Sequence, residues 1–433
     1  MFNDRGGPML HNYWTNAAPS YRPRTAPLPP AVDVAVIGGG FSGLAVAEGL
    51  ARAGRSVVVL EAGTIGHGAS SRSGGMVGPS FHKLGLAGLT ARYGQTRAEA
   101  IMRAGIDALD HCQDLFQSLG VDVDLALTGR FRGARTEADM TAMIAECERL
   151  RVAVGLQYDV VARADLAGQT GAACYVGGVR YPRDGGIHPV KLVQAGAARA
   201  EAAGALLLPQ SPVAGISGGP GAFDIAIPDR NLRAAEVVVC TNGYSGAGVR
   251  AMRERVVPID ITVAATRDLG PERIRQMSPR LQMHGETGRV FTWSRPTPDG
   301  RRFIFGGRLS TVTAGLARQQ AQVAAAVGRI HPDLRADDFE QIWTGRIAYT
   351  TDHAPHLNRV DGLWLMGGYC GSGVTRSFFF ADKLVRKMTG RAGGETPFDD
   401  LDFPRVPFRP LAPFGARQMT KYYAWRDRRD RRA

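Results

Sequence analysis

The chain has 433 residues, 44% apolar and 21% charged, with a formal net charge of +13. That is ordinary for a globular protein, and no apolar run reaches the roughly 18 residues a membrane span needs. The length exceeds one hydrophobic core, so two successive or interleaved domains are expected. Five scattered cysteines (Cys112, Cys147, Cys174, Cys240, Cys370) form no Cys-x-x-Cys pair, which favours free thiols in the cytoplasm over a disulfide frame or a zinc site.

Residues 1–30 are polar, aromatic and proline-rich, unlike a secretory signal. The apolar run 32–37 then leads into Gly38-Gly39-Gly40-Phe41-Ser42-Gly43. Gly38 suits a tight turn, Gly40 lets the backbone approach a pyrophosphate, and Gly43 allows close helix–sheet packing. Helix formers fill 44–52, Gly54 stops them, and a β-branched strand at 56–60 delivers Glu61 to a ribose. This is the first βαβ unit of a dinucleotide-binding fold. The loop that follows, from Ala62 through Ser70-Ser71-Arg72-Ser73-Gly74-Gly75-Met76, is rich in glycine and small polar residues, as a backbone pressed against a flat ligand requires.

Apolar stripes predict core helices at 97–119 and 137–154. A turn at 185–189 puts Pro189 near the start of a helix over 190–203. Strands are expected at 206–213 and 237–240, then at 256–259, 289–293 and 303–305, with a hairpin turn at Asp299-Gly300. A helix at 317–327, a strand at 363–366, a glycine turn at 367–373 and a helix at 377–389 complete the ordered part. The charged run 426–432 mixes arginine with aspartate and reads as a solvated, partly disordered tail. A nucleic-acid partner is not expected from it.

Small-residue ligand loops recur near Thr241 and Gly371, far from the opening unit. Taken with Tyr13-Trp14, the loop 68–75, Asp184-Gly185-Gly186-Ile187-His188-Pro189 and Gly368-Tyr369-Cys370-Gly371-Ser372-Gly373-Val374, the chain resembles FAD-dependent oxidoreductases of the D-amino-acid oxidase superfamily. Within it, the γ-glutamylputrescine oxidase group is the nearest in pattern. That group usually carries Ser-Gly-His-Gly where this chain has Cys-Gly-Ser-Gly. The resemblance implies an α/β fold in which a Rossmann-like domain of the glutathione-reductase type carries an inserted antiparallel-sheet α+β substrate domain. It implies an N-terminal extended segment 1–30, a discontinuous FAD domain (31–95, 184–255, 341–395), a substrate domain (96–183, 256–340) and a C-terminal extension 396–433.

It also implies roles. Gly38, Gly40, Phe41, Ser42 and Gly43 would hold the pyrophosphate, Glu61 and Ala62 the ribose end, and the backbone of Val213 the adenine. Ser70, Ser71, Arg72, Ser73, Gly74, Gly75 and Met76 would line the pyrophosphate and one edge of the isoalloxazine. Thr241 and Asn242 form a flavin motif, and Gly371, Ser372, Gly373, Val374 and Thr375 would aim N–H groups at the pyrimidine edge. Arg72 matches a ring-side cation. Arg308 matches a substrate-pocket position, where an arginine suits a carboxylate. Trp293 and Arg295 come from the strand over the pocket, and Tyr349 and His353 from the return segment near the flavin. His188 is expected to make a structural hydrogen bond. No cysteine stands at the tether position near Gly345, so the FAD would be non-covalent. No metal cluster emerges.

The implied reaction is oxidation of an amine or amino acid: hydride passes from the C–N carbon to flavin N5, and the imine is hydrolysed. The lysine that some relatives use toward dioxygen is matched here by Ile304, so either dioxygen or an electron carrier would take the electrons. Two alternatives stay open, a tRNA-modifying flavoenzyme of the same superfamily and a non-catalytic flavin-binding protein.

Overall fold

The computed structural model describes residues 12–430. The start of the N-terminal segment (1–11) and the last residues, Arg431 and Arg432 among them, lie outside the described residues. Within them the chain builds two eight-stranded sheets and one two-stranded ribbon, with helices packed on both faces of the first sheet's core and on the second.

The first sheet is Rossmann-like. Ala31–Ile37 lies centrally, paired in parallel with Arg230–Val239 on one side and Val57–Leu60 on the other. Leu206–Leu208 and Leu363–Gly367 extend it in parallel at the two flanks, and His356–Val360 adds an antiparallel edge. Both faces are covered, and the side-chain alternation shows it. Val34, Val36, Val57 and Val59 enter the core under the fingerprint helix, while Ala35, Ile37, Val58 and Leu60 enter a second core on the opposite face. That is why these strands read as continuous apolar runs. The fingerprint helix Phe41–Arg52 buries Leu44, Val46, Ala47 and Leu50 against the sheet.

The second sheet has the strand order Gln341–Tyr349, Val257–Ala265, Phe303–Gly307, Trp293–Pro296, Met283–Glu286, Arg130–Ala134, Gly177–Tyr181 and Asp159–Val161. Its pairs are antiparallel except that between Met283–Glu286 and Arg130–Ala134. Phe303, Phe305 and Phe339 fill the outer face; Ile304, Val263, Ala265 and Trp343 fill the face toward the first sheet.

Two features of the pairing and packing bear on how the chain divides into units. The segment 341–349, assigned by pattern to the FAD domain, is the edge strand of the second sheet, paired along its whole length with Val257–Ala265. The helices Gln95–Gln117 and Glu137–Val154, assigned to the substrate domain, share the core of the fingerprint helix: Phe116 meets Phe378 at 5.2 Å between ring centroids, and Cys147 and Leu150 belong to the same cluster. An apolar stripe specifies that a helix face is buried, not which sheet buries it.

Local differences have plain causes. Residues 289–292 form a loop, with the strand starting at Trp293, because Asp427 captures the backbone N–H groups of Arg289 and Val290. Residues 12–17 are not extended: Asn12 caps the short helix Tyr13–Ala17, and Trp14 is fully buried. Residues 426–430 of the charged run lie in a helix, Ala412–Asp430, whose Asp427 is buried against Arg289 and Arg135 rather than solvated.

Candidate active site

The glycine fingerprint is tightly built. Gly38 leaves the first strand at φ 106°, and a Cβ on Gly43 would fall 1.9 Å from the Gly38 carbonyl oxygen. The fingerprint helix opens on Gly40, which supplies no side-chain cap, so its first-turn N–H groups face the loop as a helix end built for phosphate does. Phe41 N–H is the exception and donates to Ser70 Oγ at 3.0 Å. That bond joins the fingerprint to the second glycine-rich loop. Glu61 ends its strand with both carboxylate oxygens on this cradle, accepting from Gly39 N–H at 2.7 Å and Gly63 N–H at 2.9 Å. Its remaining lone pairs can accept from a ribose diol. These residues fit FAD.

Ser42 is turned elsewhere. Its hydroxyl meets Tyr369 Oη at 2.8 Å in the buried helix packing, so only its backbone can serve a pyrophosphate. Val213 lies in the loop after Leu206–Leu208, with Gly248 against its carbonyl, and Ala62 is exposed beside Glu61.

The second loop is held on three sides. Arg72 donates Nε–H to the His67 carbonyl at 3.0 Å and Nη1–H to the Thr344 carbonyl at 3.1 Å, with Nη2 3.2 Å from His67 Nε2. Its own carbonyl accepts from Trp343 Nε1–H at 3.1 Å. The Ser71 carbonyl accepts from Asn12 Nδ2 at 2.8 Å. Ser73 Oγ accepts from Gly75 N–H, and Met76 begins a two-residue strand paired with Gly185–Gly186.

Trp293 and Arg295 press on this loop from the second sheet. The Trp293 ring lies over Gly306 and reaches Gly74; a Cβ on Gly74 would come within 2.5 Å of it. Arg295, expected at the substrate pocket, is instead 2% exposed. Its guanidinium is spent on the carbonyls of Gly74 (3.0 Å), Gly75 (3.2 Å), Ile187 (2.9 Å) and Pro296 (3.1 Å). Burial pushes its pKa down to about 10. Gly75 and Gly186 are needed there because a Cβ on either would meet that guanidinium at 3.0 Å or less.

The late-chain loops converge on the same place. Asn242, at φ 44°, accepts from Gly368 N–H at 3.0 Å, and Thr241 Oγ1 meets Ser245 Oγ at 2.7 Å. Cys370 (φ 52°) and Gly371 (φ 96°) turn the chain into the helix Gly373–Met388, which starts without a side-chain cap at Ser372. Cys370 Sγ is buried and donates to the Gly368 carbonyl at 3.2 Å. Val374 and Thr375 are buried, Thr375 Oγ1 sitting 2.5 Å from Ser80 Oγ. Positive φ at non-glycine residues is a strain that clusters at functional sites. Sequence reading missed Arg376, buried and bound to the carbonyls of Tyr369 (2.9 Å) and Ser80 (2.7 Å). It follows the glycine turn directly, so its place in the turn was the available signal.

Tyr349 and His353 stack edge to face at 5.9 Å, and His353 has φ 61° and a buried Nδ1 without a hydrogen-bond partner among the described residues. Burial pushes Tyr349 up and His353 down from their usual pKa values. Arg308 is exposed beside Tyr349; desolvation by the surrounding protein lowers its pKa and Tyr349 opposes that. His188 accepts from Lys191 N–H through Nδ1 at 3.3 Å, the structural role expected of it. Among the described residues no group of histidine, cysteine and carboxylate side chains is placed to hold a metal ion. None of their helices is long and apolar enough to cross a membrane.

A Rossmann-like cradle for a dinucleotide, facing an antiparallel sheet across glycine loops, defines a flavoprotein oxidoreductase. The chain belongs to the DAO family of FAD dependent oxidoreductases, whose family model matches residues 33–386. It is 26% identical over 405 residues to a probable oxidoreductase OrdL of Rhizobium meliloti, covering 92% of each chain. Identity is also 26% over 402 residues to the γ-glutamylputrescine oxidoreductase of Escherichia coli, covering 92% of this chain and 93% of that one. The fold superposes on glycine oxidase from Geobacillus kaustophilus with a TM-score of 0.70 at 21% identity, over 88% of this chain and 99% of the other. The protein is thus an FAD-dependent enzyme.

Proposed function

We propose that this enzyme oxidises the C–N bond of a small amine or amino acid, with FAD held non-covalently, and that its reaction is of the γ-glutamylputrescine-oxidase kind. The observation carrying this reading is the junction at Gly74-Gly75, where the glycine loop fitted for FAD meets Trp293 and Arg295 of the second sheet. Relatives named for amine and amino-acid oxidation over nearly the whole chain support it.

FAD, when bound, supplies the hydride acceptor; the chain supplies the rest. Gly38, Gly40, Gly43 and Glu61 would bind its dinucleotide end, and the backbone at Gly371, Ser372 and Gly373 its pyrimidine edge, where an uncapped helix N-terminus favours negative charge. Arg72 would fix the loop along the ring's edge. Substrate would lie toward Tyr349, His353 and Arg308, oriented so that its reacting C–H faces the cofactor. No strong base is required of the protein if the amine enters neutral. No tether is proposed at Cys370, whose buried thiol donates to the Gly368 carbonyl. Ile304, where some relatives carry a lysine that serves dioxygen, is fully buried in the sheet, and the oxidant in this proposal is dioxygen or an electron carrier. The five free cysteines support a reducing compartment such as the cytoplasm.

The arginine excess is dispersed in ion pairs such as Arg52–Glu48, Arg97–Asp400 and Arg301–Asp268, which supports a small substrate over tRNA. Anaerobic mixing of the yellow protein with a panel of amines and amino acids tests the proposal. Bleaching of the flavin band by at least one of them is expected; a band unchanged by every amine sinks it.

A further inference from the structure

The C-terminal helix Ala412–Asp430 turns apolar side chains away from the protein. It lies against the strand Val257–Ala265 and is latched by a polar residue, Asp427, to Arg289 at 3.0 Å and Arg135 at 3.7 Å. With about 3.6 residues to the turn, Phe414, Gln418, Tyr422, Trp425 and Arg429 fall within about 80° of one another, across the helix from Asp427. All five are exposed, Phe414 by 63%, Tyr422 by 47% and Trp425 by 46%, as is Leu411 just before the helix. Half of the large apolar side chains exposed among the described residues lie between 408 and 425. A surface helix ordinarily turns its apolar stripe to the core. Single exposed hydrophobics are normal, but a set gathered on one helix face marks a binding surface.

The chemistry of that face selects its partner. Lys421 and Arg429 are exposed beside the rings, with the Arg429 guanidinium carbon 5.4 Å from the Trp425 centroid, and Arg426 Nη1–H donates to Tyr422 Oη at 3.2 Å. Across 412–430 the sequence has five cations and two acids, and one of the acids, Asp427, faces inward. A second copy docked face to face would bring the same cations into one interface, in a chain already carrying +13. An anionic lipid surface instead offers phosphates to the cations and a headgroup layer in which tyrosine and tryptophan rings settle. The helix is not apolar enough to cross a membrane, so it would lie in that layer along its length of about 28 Å. It also lies beyond residues 33–386, which the family model matches, so the family's reaction does not account for it.

We propose that the outward face of Ala412–Asp430, with Leu411, docks this enzyme on an anionic lipid surface. Phe414 and Trp425 enter the headgroup layer, and Lys421 and Arg429 meet phosphates. Asp427 keeps its latch on Arg289, because that contact is on the opposite side of the helix. The docking is independent of which substrate the flavin oxidises.

Co-sedimentation of the full-length holoenzyme with phosphatidylcholine vesicles, with and without phosphatidylglycerol, tests this. Binding is expected only where phosphatidylglycerol is present, and it should weaken as added salt screens the exposed charges. Trp425→Ala and Phe414→Ala should each weaken it about 10-fold, as loss of an inserted ring implies. Arg429→Gln should cost about 5-fold, the share of one basic group near an anionic surface. Trp425→Phe should stay within a few-fold of wild type. FAD content and the thermal midpoint without vesicles should be unchanged in all four variants. Equal binding to both kinds of vesicle, or to neither, overturns the proposal. So does full binding in the double variant Phe414→Ala/Trp425→Ala, or a loss of FAD or stability in either single variant, since the rings would then serve the fold. Sedimentation velocity of the protein alone gives a further check: a dimer that Phe414→Glu turns into a monomer means that a second copy covers the face, and overturns it too. Binding to duplex DNA that Arg429→Gln abolishes, with no binding to vesicles, would assign the face to nucleic acid instead.

Discussion

Arg295 holds its guanidinium carbon 5.4 Å from the centroid of the Trp14 ring, joining the N-terminal helix to the second sheet directly beneath the Gly74-Gly75 loop. No carboxylate among the described residues hydrogen-bonds to it. Four carbonyl acceptors and one aromatic face replace a counterion, a stacking that planar arginine allows and lysine does not.

The first prediction follows from that contact. Trp14→Ala should cost about 3–5 kcal/mol, the usual range for a buried large aromatic. Arg295→Lys should also destabilise, because carbonyls at Gly74, Gly75 and Ile187 lose their donor. Urea unfolding of both variants, with FAD content measured in parallel, checks it. Full stability in Arg295→Lys would show that the guanidinium geometry is unimportant.

Glu61→Gln should weaken FAD retention by about 1.5–3 kcal/mol, the range for hydrogen bonds to a charged group. Ultrafiltration of the yellow protein measures the loss. Acid precipitation of the wild type should leave the flavin in the supernatant; colour in the pellet would mean a covalent link.

Arg72→Lys should slow anaerobic flavin reduction even at saturating substrate, because a lysine cannot span His67 and the Thr344 carbonyl together. Arg308→Ala should act mainly on KM, with a smaller effect on the limiting rate. Stopped-flow traces of the two variants separate these effects, and an unchanged limiting rate in Arg72→Lys would remove it from the flavin site.

Four buried histidines set an acid limit. Burial, the largest cause in each case, pushes His82, His188 and His331 down to about 4 and His284 to about 3. Folded values below the ordinary 6.5 mean that the unfolded chain binds more protons there. Their contribution is therefore complete above pH 6.5 and lost as pH falls toward 4. Denaturant unfolding at pH 7, 5.5 and 4.5 should show a steep decline, and His284→Gln should flatten it by about one proton. A stability curve flat from pH 7 to 4.5 would contradict this.

Asp427 anchors the loop that carries Phe291, accepting from Arg289 N–H and Val290 N–H at 3.0 Å each. Asp427→Ala should expose 287–292 to faster proteolytic nicking while FAD content stays constant. Identical nicking in both proteins would show that the loop holds itself.

The sequence by itself determined the βαβ unit, the alternation of its strands and the glycine loops, because these are local: a turn at Gly38, a helix behind it and a strand ending in Glu61 need only neighbouring residues. The same holds for the helix at 137–154, read from its own apolar stripe. Through family likeness the sequence also carried the FAD-binding, two-sheet architecture. Tertiary structure alone decided which groups share a place. Arg295 and Arg308 are both arginines near strand ends, yet one is consumed by carbonyls of a loop more than two hundred residues earlier and the other stays exposed. Residues 341–349 have a strand's pattern whichever sheet takes them. Asp427 looks solvated in a run of arginines until Arg289 and Arg135 come up from the second sheet. Charge and burial are set by neighbours distant in the chain, and the local pattern carries no record of them.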